Sequence, residues 1–305
     1  MDDLHRLAQG GDRRALARML SAIESGDVDV HPLLSTPAAS NAWKVMAITG
    51  APGVGKSVLV DAILQRWARA GHTTALLAVD PSSPRTGGAL LGDRVRMTTV
   101  DDPELSHRVY VRSVATRKAM GSVPMVVEDM AAYLLSCGWD RVLIETVGAG
   151  QSELRCAAVA DRIVVVEGPA RGDGIQAEKA GLLELADLVL VNKCDIEGAE
   201  RHAAELSESF ALGDEAPDVM LVSGLKSIGV DEAATTMLNL APSNRSLKAK
   251  MRERLHALLE RRLTGHPDYN RTLDDLSGGT IDIHEAMVHL LSERHESPGR
   301  DDQPR

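Results

Sequence analysis

An α/β fold, built as a doubly wound and mostly parallel sheet with helical extensions at both ends, is what this chain of 305 residues predicts. Three observations lead there. Short apolar runs recur between Trp43 and Gly224, reading WKVMAIT, TTALLAVD, RVYVRSV, DRVLIET, DRIVVVE, DLVLVNK and DVMLVSG. Most are too continuous for strands with one wet face and too short for helices, so they suit parallel strands covered on both faces. Helical stretches alternate with them, and hydrophobic residues reach 44% while aromatic residues make up only 2%, so the core must come mainly from Leu, Val, Ile and Ala.

The first forty residues read as helical. Asp12 can cap a helix whose apolar positions Leu16, Met19, Leu20 and Ile23 share one face, and Gly26 ends it. Its ordinary role is packing. His31-Pro32 and Pro37 mark a linker, after which strands and helices alternate, with helices expected at Ser57 to Ala70, stopped by Gly71, and at Ala199 to Ala211. After Ala241 the strand pattern ceases. Leu247, Met251, Leu255, Leu258, Leu259 and Leu263 form a row at helical spacing, stopped by Gly265 and Pro267; such a row packs on its own domain or makes a dimer contact. A short helix from Asp282 to Leu291 leads to the polar ESPGRDDQPR, expected to be disordered. The domain plan is a helical extension at 1–40, a nucleotide domain at 41–241, a helical arm at 242–292 and a tail at 293–305.

Composition removes several function classes. A net charge of -10, with no long basic run against it, disfavours nucleic acid as a partner. Cys137, Cys156 and Cys194 form no CxxC pair, the ten His are scattered, and neither a disulfide framework nor a zinc motif is signalled. The first residues, MDDLHRLAQGGDRR, lack the order of a signal peptide, and no stretch has the length of a membrane span. A cytoplasmic, soluble protein is expected.

Three motifs carry chemistry. The first is GAPGVGKS, residues 50–57, between the strand WKVMAIT and a helix. Gly50, Gly53 and Gly55 let backbone N–H groups turn inward around a phosphate, and the helix N-terminus, with Val58 in its first turn, adds the positive end of its dipole. Lys56 would bridge β- and γ-oxygens and the Ser57 hydroxyl would hold Mg²⁺, as in a P-loop NTPase. The second is NKCD, residues 192–195, at the carboxyl end of DLVLV. Asp195 can accept hydrogen bonds from guanine N1–H and its 2-amino group, donors that adenine lacks there. Lys193 can lay its stem along the purine and Asn192 can brace neighbouring loops, while the SGL turn of Ser223, Gly224 and Leu225 could offer a backbone N–H to guanine O6. The third is ETVG, where Glu145 can reach Mg²⁺ through water and the Gly148 N–H can meet the γ-phosphate. Asp80, ending a strand, and Asp93, in a Gly-rich segment, are placed to meet Mg²⁺ or orient the attacking water.

Together GAPGVGKS, AVDPSSPRTGGALLGDRVRM, ETVGAGQSE, ELADLVLVNKCD and SGL resemble the MeaB/ArgK family, GTPases associated with adenosylcobalamin-dependent methylmalonyl-CoA mutase. RALARMLSAIES near the start and RERLHALLERRL followed by HP near the end extend the resemblance over nearly the whole chain. It implies a SIMIBI-type G domain, GTP and Mg²⁺ as ligands, a C-terminal arm used in homodimerisation, and a chaperone whose GTP hydrolysis gates cofactor loading, protection and reactivation of an acyl-CoA mutase. It further implies that Lys56, Ser57, Asp80, Asp93 and Glu145 serve phosphate, Mg²⁺ and catalysis, that Asn192, Lys193 and Asp195 read guanine, and that a cobalamin adenosyltransferase is a further partner. One segment departs from the family's pattern: GPARGDGIQAEKAG, residues 168–181, has an added Arg171, and Gly174 replaces an acid. The mutase-type cobalamin signature DxHxxG is not met, because Leu34 and Met287 stand at the glycine positions after Asp29-x-His31 and Asp282-x-His284. Cobalamin is therefore expected on the partner. A metal-insertion GTPase of the hydrogenase or urease type is the main alternative, and an ATP-driven enzyme on the same scaffold is disfavoured by NKCD and by Ala51 at the early position where many of those enzymes have an extra lysine.

Overall fold

The computed structural model describes residues 1–34, 42–81, 97–116, 123–146, 159–169, 183, 185–211, 216–241 and 247–292. The chain divides into two compact units, Met1–Arg254 and Leu255–Arg305. Among the described residues no helix is long and apolar enough to cross a membrane.

The first unit opens with helices α1 (Asp2–Gln9) and α2 (Arg13–Ser25). Then follow β1 (Val45–Thr49), α3 (Lys56–Arg69), β2 (Thr74–Pro81), β3 (Val109–Thr116), α4 (Val123–Ser136), β4 (Arg141–Thr146), β5 (Arg162–Glu167), β6 (Leu188–Val191), α5 (Ala199–Phe210), β7 (Asp218–Leu221) and α6 (Val230–Asn239). Each of the seven apolar runs forms a strand. They make one parallel sheet in the order β3-β2-β4-β1-β5-β6-β7. The chain starts at the centre, builds one half outward, returns to insert β4 beside β1, and then builds the other half. That reversal leaves a crevice at the carboxyl end of β1, where α/β sheets bind ligands.

Successive side chains of a strand point to opposite faces, and both faces are covered. On one, Met46, Ile48, Leu76, Leu143, Val164 and Leu190 meet Leu59, Ile63 and Trp67 of α3 and Met237 of α6. On the other, Ala75, Leu77, Val142 and Ile144 meet α2 and α4, while Ala47, Ile163, Val165 and Val189 meet α5. Two indoles pin α6 to the core: Trp43 Nε1 donates to Met237 O at 2.8 Å and Trp67 Nε1 to Ala234 O at 2.9 Å, with ring centroids 5.8 Å apart.

Helix α2 forms as its pattern predicts. The Asp12 carboxylate accepts from the Arg14 and Ala15 amides, Gly26 closes the helix at φ 80°, and Leu16, Met19, Leu20 and Ile23 are buried. Two arginines tie the helix to β3 at the edge of the sheet. Arg112 of β3 donates to Ala17 O, Ser21 Oγ and Glu24 Oε2, the last at 2.6 Å. Arg13 donates in return to Ser106 O and Val109 O.

Helix α7 (Leu247–Thr264) spans the boundary of the units, and α8 (Tyr269–Ser277) and α9 (Ile283–Leu291) lie in the second. Asp282 and Glu285 cap α9 with a reciprocal box. Met251, Leu255, Leu258 and Leu259 of the expected row are 41% to 65% exposed in the single chain.

Candidate nucleotide site

The phosphate loop leaves β1 through a turn that only glycine can make. Gly50 has φ 143°, and a Cβ there would stand 2.0 Å from Val166 O. Gly53 and Gly55 also have positive φ, and a Cβ on Gly55 would strike Asn192 Nδ2 at 2.7 Å. Gly55 is the N-cap of α3, so the unbonded amides of the first helical turn open onto the loop. Buried Lys56 curls back over it, its ammonium donating to Gly50 O and Ala51 O.

Beside the loop, Ser57 Oγ donates to Glu145 Oε1 at 2.8 Å. Glu145 is 2% exposed and pairs in register with Ile48, which places it next to β1 at the carboxyl edge of the sheet. In β2 the same level is Ala78, and Asp80 lies two residues beyond it. Thr49 and Thr146, the last residues of β1 and β4, bury hydroxyls that have no hydrogen-bond partner among the described residues. A serine hydroxyl against a buried carboxylate is a pair of hard oxygen donors, and with the glycine cradle it fits a phosphate chain with Mg²⁺. Asp93, Gly148 and residues 170–181 of the departing segment lie outside the described residues.

The base-reading residues gather around Asn192. Its Nδ2 donates to Val54 O at 2.8 Å and Gly55 O at 3.3 Å, and its Oδ1 accepts from Gly224 N at 3.0 Å. One side chain therefore joins the phosphate loop to the SGL turn. Lys193 adopts φ 63° and donates to Gly53 O at 2.7 Å, which lays its stem across the loop. The turn is closed by a bridge between Ser223 and Ile228 and by Lys226 N donating to Ser223 Oγ. Gly224 N is committed to Asn192 and Ser223 N to Ile228 O, and Leu225 stands exposed at the tip. The exposed Asp195 carboxyl is held below the usual carboxylate range, first by the Ser223 hydroxyl and also by the charge of Lys226. It is an ionised acceptor at neutral pH, as pairing with N1–H and an amino group requires.

Two further residues shape the site. Gly224 packs so closely on α3 that a Cβ would stand 2.8 Å from Leu59 Cα. Asp61, one turn beyond Ser57, buries its carboxylate and accepts from the amides and hydroxyls of Thr98 and Thr99, fastening the chain that follows residue 96 to the phosphate-loop helix. The available sequence signal was an acid inside the apolar LVDAIL.

A central parallel sheet carrying a glycine phosphate loop, a carboxylate on the neighbouring strand and a guanine-type Asn-Lys-x-Asp turn defines a P-loop GTPase of the SIMIBI class. The chain belongs, within that class, to the family described as methylmalonyl-CoA mutase-associated GTPase MeaB, whose model matches residues 16–264. A protein of Pyrococcus abyssi that bears a GTPase name is 40% identical over 215 residues, which are 70% of this chain and 65% of the relative. The chain thus spans about two thirds of that relative's length. A probable GTPase of Mycobacterium tuberculosis is 39% identical over 251 residues, covering 78% of this chain and 74% of the relative. A fused isobutyryl-CoA mutase of Cupriavidus metallidurans is 37% identical over 196 residues, 62% of this chain and 18% of that longer protein. Among solved structures, the LAO/AO transport system kinase aligns over 95% of both chains with a TM-score of 0.63 and 22% identity, a likeness of fold.

Proposed function

We propose that the chain hydrolyses GTP to GDP and phosphate with Mg²⁺ and, through that cycle, chaperones an adenosylcobalamin-dependent acyl-CoA mutase. The observation that carries the nucleotide part is Asn192, which holds the phosphate loop and the guanine turn in one hydrogen-bonded unit. Asp195 then selects guanine, whose N1–H and 2-amino group its carboxylate can accept from, whereas adenine offers no matching donor there.

In the catalytic half, the amides of residues 53–58 and the Lys56 ammonium neutralise phosphate oxygens as charge builds on them. Ser57 Oγ would hold Mg²⁺, which when bound would withdraw charge from the phosphate oxygens, and Glu145 holds the Ser57 hydroxyl in place at 2.8 Å. Asp80 and Asp93 are assigned to Mg²⁺ or the attacking water, and the Gly148 N–H of ETVG to the γ-phosphate.

The mutase partner is supported by the occurrence of a similar stretch within fused isobutyryl-CoA mutases. Cobalamin is assigned to that partner, and loading, protection and reactivation of its cofactor to the GTP cycle. A homodimer through the 242–292 arm belongs to the same reading, supported by the exposed leucines of α7. The test is GTP turnover by the purified chain alone and with a panel of acyl-CoA mutases. Stimulation by one of them is expected; turnover indifferent to all would refute the partner and leave the GTPase.

A further inference from the structure

The histidines that are scattered in the sequence are not all apart in the fold. His266, in the turn after α7, and His289, in the last turn of α9, bring their rings to 5.3 Å between centroids, edge to face. Asp268 points its carboxylate between them, 3.6 Å from His289 Nε2 and 3.9 Å from His266 Nδ1. One nitrogen or oxygen from each of the three lies within 4.8 Å of the others.

Two features set this trio apart from a chance surface meeting. Asp268 occupies the N-cap of α8, where an aspartate ordinarily accepts from the amides of the first turn, yet its side chain caps nothing and turns to the imidazoles. The separations of 3.6 and 3.9 Å are also too long for hydrogen bonds, so the carboxylate converges on the two imidazoles without bonding either. The turn beneath them is firm. Asp268 O accepts from both Thr272 N and the buried Thr272 Oγ1, and Tyr269 N donates to His266 O. Asp268 N donates to His266 Nδ1 at 3.2 Å, so that nitrogen carries a lone pair and no proton.

We propose that His266, Asp268 and His289 form a site for a divalent transition-metal ion, Zn²⁺ by its donor set of two imidazoles and a carboxylate, with a fourth position open to water. A tetrahedral ion with bonds of about 2.0–2.2 Å holds its donors roughly 3.3 Å apart, so the donors, now within 4.8 Å of one another, must close by up to roughly 1.5 Å to complete the site. His266 Nδ1 exchanges the long amide bond for the metal. The ion fastens the end of α9 to the turn before α8. It is separate from the Mg²⁺ of the nucleotide site, whose residues all lie in the first unit.

The test uses the full chain without a histidine tag, stripped with chelator and titrated with Zn²⁺ in excess Mg²⁺ by calorimetry, and with Co²⁺ followed by visible absorption. One equivalent of Zn²⁺ and the strong visible bands of low-coordinate Co²⁺ are expected. His289→Ala and Asp268→Asn should weaken that equivalent by at least roughly 10- to 100-fold, the loss incurred even by an outer partner of a metal ligand, while His284→Ala leaves it unchanged. His289 is 54% exposed, so its removal does not threaten the fold, and the Co²⁺ spectrum needs no variant at all. Absence of saturable Zn²⁺ uptake, a featureless Co²⁺ titration, or uptake unchanged in His289→Ala would each overturn the site.

Discussion

At the residue scale, Lys56 and Asp195 divide the nucleotide between them. Lys56 is buried among loop carbonyls, where its charge is poorly screened by water, so Lys56→Ala should lower the GTP turnover number roughly 100- to 1,000-fold, as loss of a single transition-state donor does elsewhere. Undiminished phosphate release would remove the phosphate-loop assignment. Asp195→Asn should weaken GTP binding by about 10- to 100-fold, the worth of hydrogen bonds to a charged acceptor, and should admit xanthosine triphosphate, whose ring reverses the donor pattern. Competition binding with the two nucleotides reads both effects. Because the Ser223 hydroxyl lowers the Asp195 pKa, the carboxylate stays ionised well into acid. The sign follows: its contribution to guanine binding is present above the ordinary aspartate range and is lost only as pH falls through the depressed value, so guanine preference should be flat from neutrality to mild acid.

At the scale of elements, the pieces most legible in the sequence were those whose cause is local. Parallel strands buried on both faces must be apolar through their middle, and so the IVVV of DRIVVVE announces β5, all six of whose residues are buried. Glycines at positive φ announce the phosphate loop for the same reason. Helix α8 was not separated, because YNRTLDDLS is mostly polar and buries only Thr272. Nor could the sequence show contacts between distant residues: Asp61 meets Thr98 across 37 positions, and Gly224 meets Leu59 through a shape that only folding creates. Gly224→Ala tests that contact. Its Cβ would force the turn and α3 apart at a cost of about 1–3 kcal/mol, so a lower melting temperature and weaker GTP binding should appear together. Stability lost with GTP affinity intact would uncouple the turn from the loop. The clasp of α2 on the sheet edge gives a second expectation. Arg112→Ala removes the ion pair to Glu24, which is 13% exposed, together with the bonds to Ala17 O and Ser21 Oγ, and should lower unfolding stability by about 1–3 kcal/mol in urea titration while leaving the nucleotide site unchanged.

At the scale of the whole molecule, the apolar row on α7 bears on the proposed homodimer. Leu255 is 65% exposed and Leu258 51%, an arrangement that favours burial against a second copy over contact with water. Leu255→Asp should move the chain toward monomer in sedimentation velocity; an unchanged dimer would assign the interface elsewhere.

The indole pair within the first unit has one more consequence. Trp67 belongs to the helix that begins at Lys56, Trp43 lies two residues before the strand that feeds the phosphate loop, and both donate to the helix that follows the base-reading turn. The protein is therefore built with an intrinsic optical gauge. Movement of the phosphate loop against that turn should change the emission of these two neighbouring indoles, and stopped-flow fluorescence after GTP addition, with Trp139 replaced by Phe, checks it.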